Sequence, residues 1–317
     1  MNSHEDFHSN DPWILSHRGE KNPVREDRPY AWSVEKERTR TGKLENVATL
    51  FLTNSECPFH CLMCDLWKNT TNTPVAPGAI PKQIEWALEK VSGAKHLKLY
   101  NSGNFFDTRA IPEHDYPAIA ALLSGFETII VESHPKLLGT RTLKFRDMLR
   151  GELQVAMGLE TVHPETLRRL NKRMTLDDFK KAAKFLHDHH IPSRAFILLR
   201  PPFMTEGEGI HWAKKSIEFA FENHVECCVV IPTRAGNGAL EILQGKGHFS
   251  PPAIHSLEEV QAWGIRQKRG RVFADLWDIE RFSHCDQCLN NRVERMQRMN
   301  LEQDIRIEVE CVCNQND

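Results

Sequence analysis

The sequence predicts an α/β protein made of repeated strand–helix units. Three observations carry that expectation. Six short apolar runs between residues 47 and 232 are continuous rather than alternating, as strands covered on both faces are. Segments of helical period separate them. Two of those helices open on capping signals, Thr175 with Asp178 and Thr205 with Glu208. Sequential βα units with buried strands imply a parallel sheet with right-handed crossovers, either doubly wound or closed into a partial or full barrel. In each case ligands collect at the carboxyl ends of the strands.

The elements follow in order. Residues 1–45 are polar, with several prolines and mixed charge, and read as an arm or a strand laid across the body. "VATLFLT" from Val47 is the first buried strand. "IPKQIEWALEKV" is a helix with Ile84, Ala87, Leu88 and Val91 on one stripe. "LKLYNSG" is strand and turn, "ETIIVES" strand, "KFRDMLRG" helix and "LQVAMGLE" strand. The helix after Thr175 repeats Leu176, Phe179, Ala183 and Leu186, then "RAFILLRPP" is a strand stopped by two prolines. "TEGEGIHWAKKSIEFAFENH" is helix and "ECCVVIPT" the sixth strand. The core domain is thus expected at 46–250, with a cysteine-rich extension at 251–317. The cysteine loop, "NSG", "ES", "GLE" and "PTRAGNG" all follow strands and so share one end of the sheet.

Composition bounds the function. The 317 residues are 40% hydrophobic and 26% charged, with a net charge of −2. That is an ordinary globular balance, and it argues against large-scale electrostatic binding of nucleic acid. No apolar run approaches the roughly 20 residues of a membrane span. A polar, acidic start and nine cysteines point to a reducing compartment, the cytoplasm, where grouped cysteines hold metal or do chemistry.

Two cysteine groups stand out. Cys57, Cys61 and Cys64 lie on the loop after the first strand. Thiolates suit iron–sulfur clusters and zinc alike. Three of them can wrap three corners of a four-iron cubane and leave one iron open to an exogenous ligand; a zinc site would need a fourth ligand, such as His60. Near the end, Cys285-x2-Cys288 and Cys311-x-Cys313 bracket a charged helical stretch and form a candidate four-thiolate site for zinc or an auxiliary cluster. "HDHH" (His187 to His190) sits at a predicted helix end and reads as helix-terminal polarity rather than a metal site. Cys227 and Cys228 read as core.

C-x3-C-x2-C after the first strand of a βα-repeat domain resembles the signature of the radical S-adenosylmethionine (radical SAM) superfamily. That resemblance implies a partial (β/α)6 TIM-type barrel, a [4Fe-4S] cluster on Cys57, Cys61 and Cys64, and S-adenosylmethionine (SAM) bound at the open iron. It also implies reductive cleavage to a 5′-deoxyadenosyl radical and an external electron donor such as flavodoxin or ferredoxin. Asn101-Ser102-Gly103 stands where the family carries a glycine-rich segment for the methionine amino group, without the common "GGE". Gly158 and Glu160 match a recurrent "GLE" whose carboxylate accepts ribose hydroxyls. Glu132 is placed to meet the amino group that the missing "GGE" carboxylate would hold. Arg194 or Arg200 would pair with the methionine carboxylate or make surface salt bridges, and Ile231-Pro232-Thr233 would lie against adenine.

From about residue 30, "WSVEKER", "CLMCDLW", "KLYNSGNFFD", "MGLETVHPETLRRLNKRMTLDDFKKAA" and "CDQC … CVC" together resemble the branch that holds the archaeosine synthase radical SAM subunit and, more distantly, the elongator catalytic subunit. The branch implies C–N bond cleavage on a deazaguanine base of tRNA; a neutral small molecule or a modified nucleoside fits this chain as well. No catalytic side chain is assigned. Two other function classes remain: a non-catalytic iron–sulfur or zinc module, and a zinc-ribbon-like nucleic-acid adaptor built on the C-terminal cysteines.

Overall fold

The computed structural model describes residues 9–311 and 313. Its elements, in chain order, are α1 (Asp11–Ser16), β1 (Ala31–Arg38), β2 (Leu44–Phe51), α2 (Ala79–Leu88), β3 (His96–Tyr100), α3 (Tyr116–Leu122), β4 (Thr128–Glu132), α4 (Thr140–Met148) and β5 (Glu152–Glu160). They continue with α5 (Pro164–Arg169), α6 (Leu176–Asp188), β6 (Ser193–Leu199), α7 (Glu206–Glu222), β7 (Cys227–Pro232), α8 (Ala239–Gly245), α9 (Ile254–Arg266), β8 (Arg271–Ala274) and α10 (Asp286–Glu302). The strands form one sheet in sequence order; β1 is antiparallel to β2 and all later neighbours are parallel.

The six expected strands are β2 to β7, and the capping boxes of α6 and α7 are both formed. Two strands extend the sheet. "WSVEKER" is the edge strand β1, and the four-residue β8 lies within 251–317.

Strand side chains alternate between two faces. Residues of one parity, such as Leu50, Leu99, Val131, Val155, Ile197 and Val230, join the main core beneath the helices. The other parity faces the concave side and is largely polar or aromatic. There Glu37 of β1 pairs with Lys98 of β3 and with Arg194 of β6, both at 2.6 Å. In a flat sheet β1 and β6 would stand roughly 24 Å apart. The ion pairs therefore require a curled sheet. Arg271 of β8 also reaches the backbone carbonyl of Arg38 on β1 at 2.6 Å, so the two outer strands meet at this end. The result is an eight-stranded partial barrel.

Helix α10 packs against β1, β8 and α9 and bridges the remaining gap. Its side chains take the place of a ninth strand. The Asn300 amide bonds both the N–H and the carbonyl of Ala274, and the Gln303 amide does the same for Val272. The free edge of β8 is thereby satisfied. No helix among the described residues is long and apolar enough to cross a membrane.

Burial raises the Glu37 carboxyl pKa, but Arg194 and Lys98 overcome this and hold it well below the usual carboxylate range. Its stabilising effect is full above the unfolded-state pKa of about 4.3 and is lost as pH falls towards the depressed folded value. Glu37→Ala should lower unfolding free energy by about 3–5 kcal/mol, because three buried cations lose their shared partner. Urea titration at pH 7 checks the magnitude. Between pH 5 and 3 the variant should lose less stability than the wild type.

Candidate functional site

The loop after β2 carries Cys57, Cys61 and Cys64 at the carboxyl end of the barrel, all unpaired. Several elements hold it. Leu62 enters a satellite core with Ile14, Leu170, Leu198 and Leu240, and its N–H donates to Leu170 O at 2.9 Å. Asn237, beyond β7, donates its amide to the carbonyls of Leu62 (2.6 Å) and Cys64 (3.3 Å). Asp11 of α1 meets His60 Nδ1 at 2.8 Å, Asn171 Nδ2 at 2.7 Å, and Arg173. The polar N-terminal arm is therefore part of the loop's support. Cys57, Cys61, Cys64 and His60 do not bring their ligand atoms within 4.8 Å of one another, so among the described residues they do not form a four-ligand zinc site.

Phe59 stacks on the His134 ring, with centroids 3.8 Å apart and planes 7° apart. His134 Nδ1 accepts from Lys136 N, so its Nε2–H donates to Lys172 O at 3.0 Å. Burial, with Lys172 nearby, pushes the imidazole down to about 3, so it is neutral. Asn104 bridges the two parts: its Oδ1 accepts from His134 N (2.6 Å) and its Nδ2 donates to Cys57 Sγ (3.0 Å). Burial pushes the thiols up, Cys57 to about 11 and Cys61 and Cys64 to about 12. The three sulfurs do not all lie within 4.8 Å of one another, so they are not gathered about a single ion.

The strand-end residues predicted from sequence converge beside this loop. Gly103 lies against it: an added Cβ would be 3.3 Å from Cys57 Cβ. Glu132 Oε1 accepts from Asn101 N at 2.7 Å and, more weakly, from Gly103 N at 3.5 Å. Burial pushes its carboxyl up to about 7, against the pull of these backbone donors. No cation among the described residues pairs with it. Asn101 is fully buried, and neither atom of its side-chain amide has a hydrogen-bond partner. Ser102 (φ 52°) bonds Tyr30 at 2.9 Å, bringing the N-terminal arm to the site again.

Glu160 also has left-handed backbone (φ 64°), next to a register shift in β5. Such conformations in non-glycine residues are costly and collect at functional sites. Its carboxylate is 2.7 Å from Lys172 Nζ, and both are buried. Burial alone would lower the Lys172 pKa, but Glu160 and the Cys61 sulfur hold it above the ordinary value. Gly158 makes room for the pair: a Cβ there would fall 2.1 Å from Glu160 Oε1 and 2.5 Å from Lys172 Nζ. Lys172 itself escaped sequence reasoning. It lies in a run of surface-like charges, and only the fold turns it inward.

Below these residues the concave face is layered. Tyr100 and Phe196 meet edge-on at 6.1 Å, Phe51 touches Tyr100 at 6.2 Å, and Phe273 lies over the guanidiniums of Arg194 and Arg271. The ion-paired floor lies beneath. Arg194 belongs to that floor, at the opposite end from the cysteine loop, so it is neither a cofactor ligand nor a surface salt bridge. Arg200 is spent on Glu206 (2.5 Å) and Pro251 O (2.8 Å). Thr233 bonds Leu199 O, continuing the strand ladder. His187 stacks on His224 and His189 bonds Phe185 O, so "HDHH" gathers no metal site.

At the far end of the chain, the sulfurs of Cys285, Cys288, Cys311 and Cys313 lie within 4.8 Å of one another. Cys285 to Cys311 is 3.7 Å and Cys288 to Cys313 is 3.6 Å. Arg292 donates to Cys288 Sγ at 3.3 Å.

No protein-family model matches the chain. Among solved structures it is similar to SuiB of Streptococcus suis bound to S-adenosylmethionine, with a TM-score of 0.53 and 12% identity over 72% of this chain and 51% of that one. The fold is the partial barrel of the radical SAM enzymes. The chain spans about half the length of SuiB. In sequence, the chain is similar to archaeosine synthase subunit beta of Thermococcus kodakarensis, 29% identical over 68% of this chain and 69% of that protein. It is also 26% identical to the uncharacterized protein MJ0550 of Methanocaldococcus jannaschii, over 80% of this chain and 74% of that one.

Lys172→Met should strand Glu160 as a buried carboxylate and cost about 3–5 kcal/mol in denaturant unfolding. Replacing both members together, Lys172→Met with Glu160→Gln, should recover most of that loss.

Proposed function

We propose that this protein is a radical SAM enzyme with Cys57, Cys61 and Cys64 as the ligands of a [4Fe-4S] cluster. The observation that carries the reading is Glu132: a half-buried carboxylate beside the cysteine loop, held by backbone N–H groups and without an ion-pair partner among the described residues. A ligand with an ammonium group would complete it. When bound, the cluster and SAM supply a reductively generated 5′-deoxyadenosyl radical that abstracts substrate hydrogen, with the electron coming from a flavodoxin- or ferredoxin-like donor.

The chain's own residues bind and orient. Glu132 receives the methionine amino group, taking the part of the absent "GGE" carboxylate. Asn101, Ser102 and Gly103 line the same place, Asn101 with an unspent side-chain amide and Gly103 with a close backbone approach. Glu160 faces the ribose, fixed in direction by Lys172. Phe59, clamped on His134, sets the course of the cysteine loop. The aromatic layer keeps the chamber above the ionic floor dry.

The similarity to archaeosine synthase subunit beta supports a modified nucleoside, free or within tRNA, as substrate, with C–N bond cleavage as the reaction. The C-terminal cysteines support a second, structural role. Tetrahedral zinc with Zn–S bonds of about 2.3 Å places its sulfurs about 3.8 Å apart. The observed 3.6 and 3.7 Å separations suit one such ion better than a second cluster.

The deciding experiment is anaerobic reconstitution with iron and sulfide, reduction, and chromatography for 5′-deoxyadenosine. Wild type should form it, and the Cys57→Ala, Cys61→Ala, Cys64→Ala variant should not. A loaded cluster that does not bind SAM would sink the reading. Glu132→Gln should weaken SAM binding roughly tenfold or more, the loss of one charge-assisted hydrogen bond. Because the Glu132 pKa is raised to about 7, wild-type affinity should fall by up to about tenfold per pH unit below that value. The Gln variant should lack this dependence. Metal analysis should find one zinc per chain bound by the C-terminal cysteines. Free zinc at a hundred times its Kd should add about 2.7 kcal/mol of stability, absent in Cys288→Ser.

A further inference from the structure

Opposite Glu132, the carboxyl ends of β7 and β8 carry a second polar group. Asp275 N donates to Val230 O at 2.9 Å, so Asp275 extends β8 on the same concave parity as Arg271 and Phe273. Its two carboxylate oxygens are both engaged. Oδ1 accepts from Trp277 N at 3.1 Å and Oδ2 from Arg234 Nη2 at 2.6 Å. Asp275 therefore has little left for a ligand, and its effect is to fix Arg234. The Phe282 ring, 5.8 Å from the guanidinium carbon, flanks Arg234 from another side.

Arg234 is placed differently from the other cations near the mouth. Arg18 and Lys21 share Glu56, Lys172 has Glu160, and Arg200 has Glu206 and a carbonyl. Arg234 spends one nitrogen on Asp275. Its Nε and Nη1 have no hydrogen-bond partner among the described residues and are not sealed from solvent. A braced guanidinium with spare N–H donors at the mouth of a concave site is suited to a carboxylate or phosphate. The same short loop reaches Asn237, which grips the carbonyls of Leu62 and Cys64. An occupant of Arg234 would thus sit at the β7–β8 side of the barrel mouth, whereas Glu132 ends β4.

We propose that Arg234 is the anion-recognising residue of the substrate site, taking a carboxylate or phosphate group of the substrate, and that Asp275 is its positioning residue. The assignment rests on the reading of the concave face as the reaction chamber.

The test is arginine-specific modification of the reconstituted full-length protein by phenylglyoxal, followed site by site by peptide mass spectrometry. Inorganic phosphate and acetate are each added against chloride at equal ionic strength, with exposed Arg150 at the other end of the barrel as internal control. An anion at twice its Kd should slow modification of Arg234 about threefold and leave Arg150 unchanged. Slowing by phosphate alone supports a phosphate-bearing substrate, and slowing by acetate alone a carboxylate. Slowing by both supports the shared site. In Asp275→Asn, Arg234 should react faster and most of the anion protection should vanish, with Arg150 again unaffected. No protection by either anion, or equal protection of all arginines, would overturn the assignment. So would protection by SAM alone, which would move Arg234 to the cofactor. Protection is read without turnover. A protein that shows it yet forms no 5′-deoxyadenosine would remove the radical reading and leave the anion site standing.

Discussion

Glu37 is the residue on which the curl of the sheet depends. It stands on the outermost strand and touches cations from β3, β6 and β8. Each of those charges is costly to bury alone. They are compensated only when the strands bend far enough to share one carboxylate, and Glu226 on Arg271 and Glu35 on Lys98 complete the balance. Hydrophobic packing under the helices would be served by a flatter sheet as well. The ionic floor favours a barrel.

Above that floor the chamber follows a gradient. An aromatic layer of Phe51, Tyr100, Phe196 and Phe273 separates the fixed ion pairs from the mouth. At the mouth, polar groups are left partly unsatisfied on both sides. Glu132 and Asn101 have backbone donors or nothing, and Arg234 has one partner where it could hold several. Two residues there, Ser102 and Glu160, hold left-handed backbone that their side chains disfavour. Strain and unspent hydrogen-bonding capacity coincide at the same strand ends, as expected where a ligand supplies the missing partners.

The extension after the core completes the barrel. Helix α10 closes the gap between β1 and β8 and covers the β8 edge with two side-chain amides. The four cysteines bring the start of that helix and the chain beyond it together, with their sulfurs within 4.8 Å of one another. The segment is therefore structural in a direct sense: without it β8 would present open backbone groups to solvent.

The sequence by itself determined the strand–helix alternation, because continuous apolar runs and capping boxes are local signals. It also determined the two cysteine groups, since ligand spacing is written in the chain. Glu132, Glu160 and the "NSG" turn were legible because a parallel sheet puts every strand's carboxyl end on one side. The edge strand β1 was harder to read, since Glu35, Lys36 and Glu37 disguise its period, and β8 is only four residues long. The tertiary structure alone decided what the charges do. Arg194, Lys172, Arg234 and Asp11 look alike in sequence, as charges among polar neighbours. They become floor, clamp, partner of Asp275 at the mouth, and loop anchor only when the sheet curls and distant segments meet. Apolar burial follows local periodicity, whereas the role of an ion pair depends on which partner the fold brings to it.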